Sequence, residues 1–161
     1  MEIEINPDGV LYHYKNVTLV SDIIFVKNII SLIIISRHTH FGTLEMITDK
    51  NTIILIQSVV NVIRLYNKIG FRIYTLHVDG NFDTSRIRGA VAEFNVTLNP
   101  MSDNEHVPKS EIYSKNIKES SRCVQKKFPF KKIPGLITME LVLSCVFWLN
   151  VYPSKSGVQT K

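Results

Sequence analysis

From Val17 to Val26 the chain reads Val-Thr-Leu-Val-Ser-Asp-Ile-Ile-Phe-Val. β-Branched and aromatic side chains dominate this run and suit a pleated, packed strand. Lys27-Asn28 supplies a turn. Ile29–Ser36 is then almost continuously apolar, as a strand covered on both faces should be. Gly42–Thr48 reads as a third strand, and such short connections predict an antiparallel meander. The period changes at Lys50. Over Lys50–Lys68, Ile53, Ile56, Val60, Ile63 and Tyr66 recur at helical spacing, and Gly70 provides the stop. Arg72–Val78 is a compact strand that ends at Asp79-Gly80-Asn81, and Thr84–Asn95 is a short helix weakened by Gly89. Val96–Leu98 is a brief strand.

After the polar loop 100–107, a helix runs over Pro108–Phe128, with the proline tolerated in its first turn. Lys126–Pro134 is a basic connector. Ile133–Asn150 reads as a last amphipathic helix with Leu136, Met139, Leu143, Val146 and Phe147 inward, and Trp148 also assigned to the core. Pro7-Asp8-Gly9 is a turn before the pattern begins, and the polar residues after Pro153 form a loose tail.

A meander followed by a β-α-β crossover defines an α/β fold: a mixed five-stranded sheet with helices on both faces. The expected division is a core over residues 17–153, an N-terminal extension over 1–16 and a C-terminal tail over 154–161. The 161 residues suffice for one domain with a real core. Hydrophobic residues make up 45%, which argues against disorder. The net charge of +5 is compatible with a polyanionic partner.

The two cysteines, Cys123 and Cys145, form no CxxC pair, which argues against a disulfide framework or a thiolate zinc site and suits a reducing compartment. Both read as buried small hydrophobes. His38-Thr39-His40 lacks further ligands nearby for zinc. The amino terminus carries no secretory signal. The oiliest stretches, Ile23–Ser36 and Ile137–Tyr152, are interrupted by Lys27 and Glu140 and fall short of the ~20 apolar residues of a membrane span. The expectation is an intracellular protein, in nucleus or cytoplasm, with no membrane partner and no small-molecule cofactor.

Candidate chemistry lies in acids that are distant in sequence. The first strand and the strand after the long helix can lie side by side at the centre of the sheet. Asp22 projects from one, and Asp79 closes the other at its carboxyl end, where α/β sheets place ligands. An unpaired carboxylate in an oily strand is costly, so Asp22 asks for a partner, either a site or a lysine. On the helix from Pro108, at about 100° per residue, Glu111, Lys115, Lys118 and Arg122 fall within a wedge roughly 60° wide. Tyr113, Ile117, Val124 and Phe128 lie opposite. Glu111–Lys115 is also a plain i,i+4 pair of a solvated helix. Asp83 rivals Asp79, Glu105 and Glu119 rival Glu111, and Asp79 before Gly80 is also a natural turn former. Three gathered carboxylates repel unless cations separate them, and hard oxygen ligands suit Mg²⁺ or Mn²⁺.

In this order and on these elements, Asp22, Asp79 and Glu111 resemble the catalytic triad of retroelement integrases of the ribonuclease H-like superfamily, most closely the copia-type retrotransposon polyproteins. The separations are 57 and 32 residues, near the family's usual intervals. His77-Val78-Asp79-Gly80-Asn81-Phe82 resembles the family's Asp-Asn-Gly-x-x-Phe strand end, with the Asn-Gly order reversed. The helix from Pro108 to Glu119 resembles the family's Gly-Val-Ala-Glu-Arg-x-Asn-Arg-x-Leu-x-Glu helix, with Ser114 where the family has asparagine. The family's Gln-Asn-Gly before that helix is replaced by Glu105-His106-Val107-Pro108.

The resemblance implies two divalent ions on Asp22, Asp79 and Glu111, driving DNA 3′-end cleavage and strand transfer. Lys115, Lys118 and Arg122 would track the DNA backbone, and the cores would pair as homodimers. A non-catalytic relic with a basic binding surface, and a hydrolytic ribonuclease H-like nuclease, remain as other readings of the same residues.

Overall fold

The computed structural model describes residues 12–48, 51–79, 82, 84–101, 108–130 and 132–152. The Pro7-Asp8-Gly9 turn, Gly80, Asn81, Asp83, Glu105 and the tail from Pro153 lie outside them. In chain order the elements are β1 (Asn16–Val26), β2 (Ile29–Ser36), β3 (Gly42–Ile47), α1 (Thr52–Ile69), β4 (Arg72–Asp79), α2 (Thr84–Ala92), β5 (Thr97–Met101), α3 (Pro108–Gln125) and α4 (Gly135–Val151). The sheet order is β3-β2-β1-β4-β5. β1–β2 and β2–β3 are antiparallel, while β1–β4 and β4–β5 are parallel. This is the mixed five-stranded sheet expected from the hydrophobic pattern.

Local chemistry sets the ends. Lys27 takes a left-handed φ of 53° in the β1–β2 turn, which tight hairpins require. The Asn51 side chain accepts from the Ile53 N–H at 3.0 Å and caps α1. Gly70, at φ 105°, closes the same helix in the conformation only glycine adopts freely.

The alternation of the strands divides the core into two layers. Val17 and Leu19 of β1, with Ile73, Leu76 and Val78 of β4, pack against α1 and α2. Ile24 and Val26 of β1, with Ile33 and Ile35 of β2, pack against Tyr113 and Ile117 of α3 and Val142, Cys145 and Val146 of α4. Each fully buried Ile or Leu contributes about 2 kcal/mol of transfer free energy. Six successive residues of β2, Ser31 to Ser36, are buried because both layers cover that strand.

Two helix faces differ from the sequence expectation. In α1 the buried positions are Leu55, Ser58, Val59, Val62, Ile63 and Tyr66, while Ile53 is exposed. In α4 they are Thr138, Val142, Cys145 and Val146, whereas Leu136, Leu143, Phe147 and Trp148 face solvent. α4 carries apolar residues nearly all round, so two stripes compete and the sheet decides which is covered, whereas in α1 Ile53 falls on the same side as exposed Gln57, Asn61 and Arg64. Cys123 is exposed rather than buried, and both cysteines are free. No helix among the described residues is long and apolar enough to cross a membrane.

The parallel pairing of β1 with β4 holds one irregularity. Val17 pairs with Ile73 but Thr18 pairs with Thr75, so Tyr74 is an extra residue in β4, a β-bulge.

Candidate active site

Asp22 has the parity of Ile24 and Val26 and therefore lies on the α3 side of the sheet. It is half-buried, and Ser114 Oγ donates to its Oδ2 at 2.8 Å. β1 and β4 stay paired in parallel through Val20↔His77. Two more steps of that register set Asp22 level with Asp79, on strands spaced about 4.8 Å apart. The bond from Ser21 Oγ to the His77 carbonyl, 3.0 Å, holds the two strands together next to this point. Asp79 is half-buried, and its carbonyl accepts from the Phe82 N–H at 3.0 Å as the chain turns away. The strands thus carry both aspartates to the carboxyl end of β4 on one face.

α3 supplies the facing wall. Its buried stripe is Ser110, Tyr113, Ser114, Ile117 and Ser121. Three serines in five positions let the helix backbone approach the sheet. Val124, expected in this stripe, is 38% exposed. Tyr113 is seated by its hydroxyl, which donates to Asn150 Oδ1 at 3.3 Å. Burial raises the pKa of that hydroxyl well above the usual tyrosine range, so it stays protonated. Asn150 in turn accepts from the Gly42 N–H and donates to the Gly42 carbonyl, both at 2.8 Å, tying α4 and α3 to the edge strand β3.

The polar face of α3 and the β1 acid enclose one cavity of about 380 Å³, lined among the described residues by Asp22, Glu111, Ser114, Lys115, Lys118, Glu119 and Arg122. The wedge drawn from helical spacing is thus a single wall, and Asp22 joins it from across 89 residues of sequence. Glu111 sits in the first turn of α3, where the positive end of the helix dipole favours a carboxylate. Glu119, its rival, lines the same cavity and pairs with Lys115 at 3.9 Å. Both partners are exposed, so this pair contributes little to stability. Asp79 lies outside the lining. Asp83 and Glu105 fall outside the described residues.

Three acids and three cations therefore share the cavity, rather than acids alone. Among the described residues no group of three His, Cys, Asp or Glu side chains is placed to hold a metal ion. Sequence reasoning saw Ser114 only as a departure from a motif. Its role as the donor to Asp22 carries no periodic signature and needed the packing of α3 on β1 to appear.

No family model matches the sequence, and no curated protein does. Among solved structures, the chain is similar to the catalytic core domain of BIV integrase, with a TM-score of 0.65 at 11% identity, over 88% of this chain and 86% of that one. At so low an identity the likeness speaks to the fold, which is the ribonuclease H-like α/β arrangement of an integrase catalytic core.

Proposed function

We infer that this chain is a retroelement integrase-type catalytic core, of the copia-like class its motifs resemble, which cuts DNA 3′ ends and joins them to a target strand. The observation that carries this reading is the meeting of Asp22 and Glu111 in one cavity beside Lys115, Lys118 and Arg122, on an integrase-core fold. The core would span residues 17–153, with 1–16 as an extension and 154–161 as a tail. Its place would be the nucleus or cytoplasm.

The donor set fits Mg²⁺ or Mn²⁺, because Mg²⁺ is held through one or two carboxylates and keeps several waters. Asp22 and Glu111 would supply two hard oxygen donors at the cavity, and Asp79, level with Asp22 on the neighbouring strand, a third. In this reading the three acids hold two ions, which when bound activate the attacking oxygen and neutralise charge on the phosphoryl group. The remaining work belongs to the chain's own residues. Ser114 donates to Asp22 Oδ2 and fixes the orientation of that carboxylate. Lys115, Lys118 and Arg122 neutralise successive phosphates and hold the strand along α3. The apolar stripe of α4, with Leu136 and Phe147 more than half exposed, supports a homodimer in which a second copy covers it.

A second reading, a non-catalytic descendant that keeps the fold and a basic binding surface, is favoured by the three cations, Lys115, Lys118 and Arg122, that line the cavity. Incubating the chain with a DNA end and Mg²⁺ or Mn²⁺ separates the two. The integrase reading expects 3′-end cleavage and joining, both abolished by Asp79→Asn. A descendant without activity cleaves nothing and shows no metal-dependent thermal shift. Cleavage without joining would identify a hydrolytic nuclease.

A further inference from the structure

A second cavity lies elsewhere, at the opposite end of β4. It has a volume of about 700 Å³, and its walls include Lys15, Asn67, Arg72, Tyr74, Asn95 and Thr97. β4 runs from Arg72 to Asp79, so the two ends of the strand lie about 23 Å apart. This cavity is separate from the acid-lined one.

Four features define what it would take. First, Lys15 and Arg72 both line the cavity, and the Arg72 N–H donates to the Lys15 carbonyl at 2.7 Å, which joins the two segments that carry these cations. Among the described lining residues there is no carboxylate. Neighbouring like charges repel until an anion lies between them. Second, Tyr74 is the bulged residue of β4 and is 64% exposed. A bulge re-aims a side chain out of the regular alternation, and here it turns a flat aromatic ring to the cavity wall. Third, Asn67, Asn95 and Thr97 offer amide and hydroxyl groups that both donate and accept. Fourth, α1 and α2 both end here, at Gly70 and near Asn95. Their carbonyl ends repel an anion but accept from the N–H and O–H groups of a base or sugar. The negative group therefore belongs on the strand side, with the cations, and the donor-rich part on the helix side.

We propose that this cavity binds a nucleoside 5′-phosphate, free or as the terminal residue of a single strand, with its phosphate between Lys15 and Arg72 and its base against Tyr74. The volume is within the ~300–1,000 Å³ of small-molecule sites. Stacking of a base on an exposed aromatic ring tolerates any base, so little base preference is expected. The site stands independently of the integrase reading.

Calorimetric titration of the full chain with deoxyadenosine 5′-monophosphate, deoxyadenosine, inorganic phosphate and a 5′-phosphorylated oligodeoxyadenylate tests it. The monophosphate or the oligonucleotide should bind about tenfold or more tighter than either fragment alone, and Tyr74→Leu should remove about that factor. Arg72→Met should reduce affinity for phosphate-bearing ligands only. Both positions are exposed, and circular dichroism verifies that each variant is folded. If the monophosphate binds but the oligonucleotide does not, the ligand is a free nucleotide; the reverse assigns a strand end. The proposal is overturned if neither binds, if phosphate alone binds as tightly, or if folded Arg72→Met and Tyr74→Leu bind unchanged. It is also overturned if Lys118→Ala, rather than these two, abolishes binding, since that would move the nucleotide to the other cavity.

Discussion

Replacing Ser114 by alanine removes the hydroxyl that donates to Asp22 Oδ2 at 2.8 Å while leaving the rest of the buried α3 stripe in place. A hydrogen bond to a charged acceptor contributes about 1.5–3 kcal/mol when both groups are dry. Ser114 is 4% exposed, but Asp22 is only half-buried and can recruit water in its place. The loss in folding free energy should therefore be about 1 kcal/mol, or roughly 2–4 °C in Tm for a domain of this size. The functional cost should be larger. A carboxylate whose supporting donor is gone loses its fixed orientation, which for metal ligands costs about 10–100-fold in affinity or activity. Urea denaturation, Mg²⁺-dependent thermal shift and DNA strand cleavage should be measured for Ser114→Ala, Asp22→Ala and the double variant. A coupling energy near 1 kcal/mol in the stability cycle is expected. Coupling within about 0.3 kcal/mol of zero would mean that the two side chains act independently, and that Ser114 does not hold the Asp22 carboxylate in place.

Gly42→Ala should destabilise the chain by about 1–3 kcal/mol through overpacking, because a Cβ there would overlap the hydroxyl and ring of Tyr113. Part of that loss should return in a Tyr113→Phe background, and urea midpoints that ignore both changes would contradict the packing. Glu45 of β3 is half-buried, and burial raises its carboxyl pKa. The folded state disfavours the charged form, so its stability falls as pH rises through the ionisation. Glu45→Gln should accordingly gain more stability relative to the parent at about pH 7 than at about pH 3.5; thermal melts showing the opposite trend would reverse that sign. Phe147→Lys, on the exposed side of α4, should shift a homodimer to monomer in sedimentation without lowering the melting temperature of the monomer, and an unchanged mass would remove α4 from the interface.

The sheet was legible because its strands are dense in β-branched residues and its first three are joined by short links. Once β1 and β4 are adjacent, Asp22 and Asp79 must share an end of the sheet. The α3 wedge was also legible, since charge spacing on a polar helix has one solution. Helix α4 was not, because Thr138-Val142-Cys145 competes with Leu136-Leu143-Phe147, and α1 was legible in part, with Ile63 and Tyr66 buried as expected but Ile53 on the exposed polar side. Periodicity alone gives no preference when both faces are oily. Cys123 was misjudged for a related reason, as composition says nothing about which side of α3 a cysteine occupies. The Ser114–Asp22 bond and the cation-lined cavity are both invisible in sequence. Each joins residues that meet only once separate elements pack together, and neither follows from a motif.

The extra tyrosine in β4 has a consequence for how such chains diverge. Pairing on its two sides differs by a single step, from Val17↔Ile73 to Thr18↔Thr75, so removing that residue would heal the ladder without disturbing anything nearer Asp79. The two ends of the strand can thus drift apart in length and purpose without interfering with each other. Any residue-by-residue alignment to a relative with an uninterrupted strand slips out of phase at this point, a frame shift in geometry that hides kinship from sequence while leaving the fold recognisable.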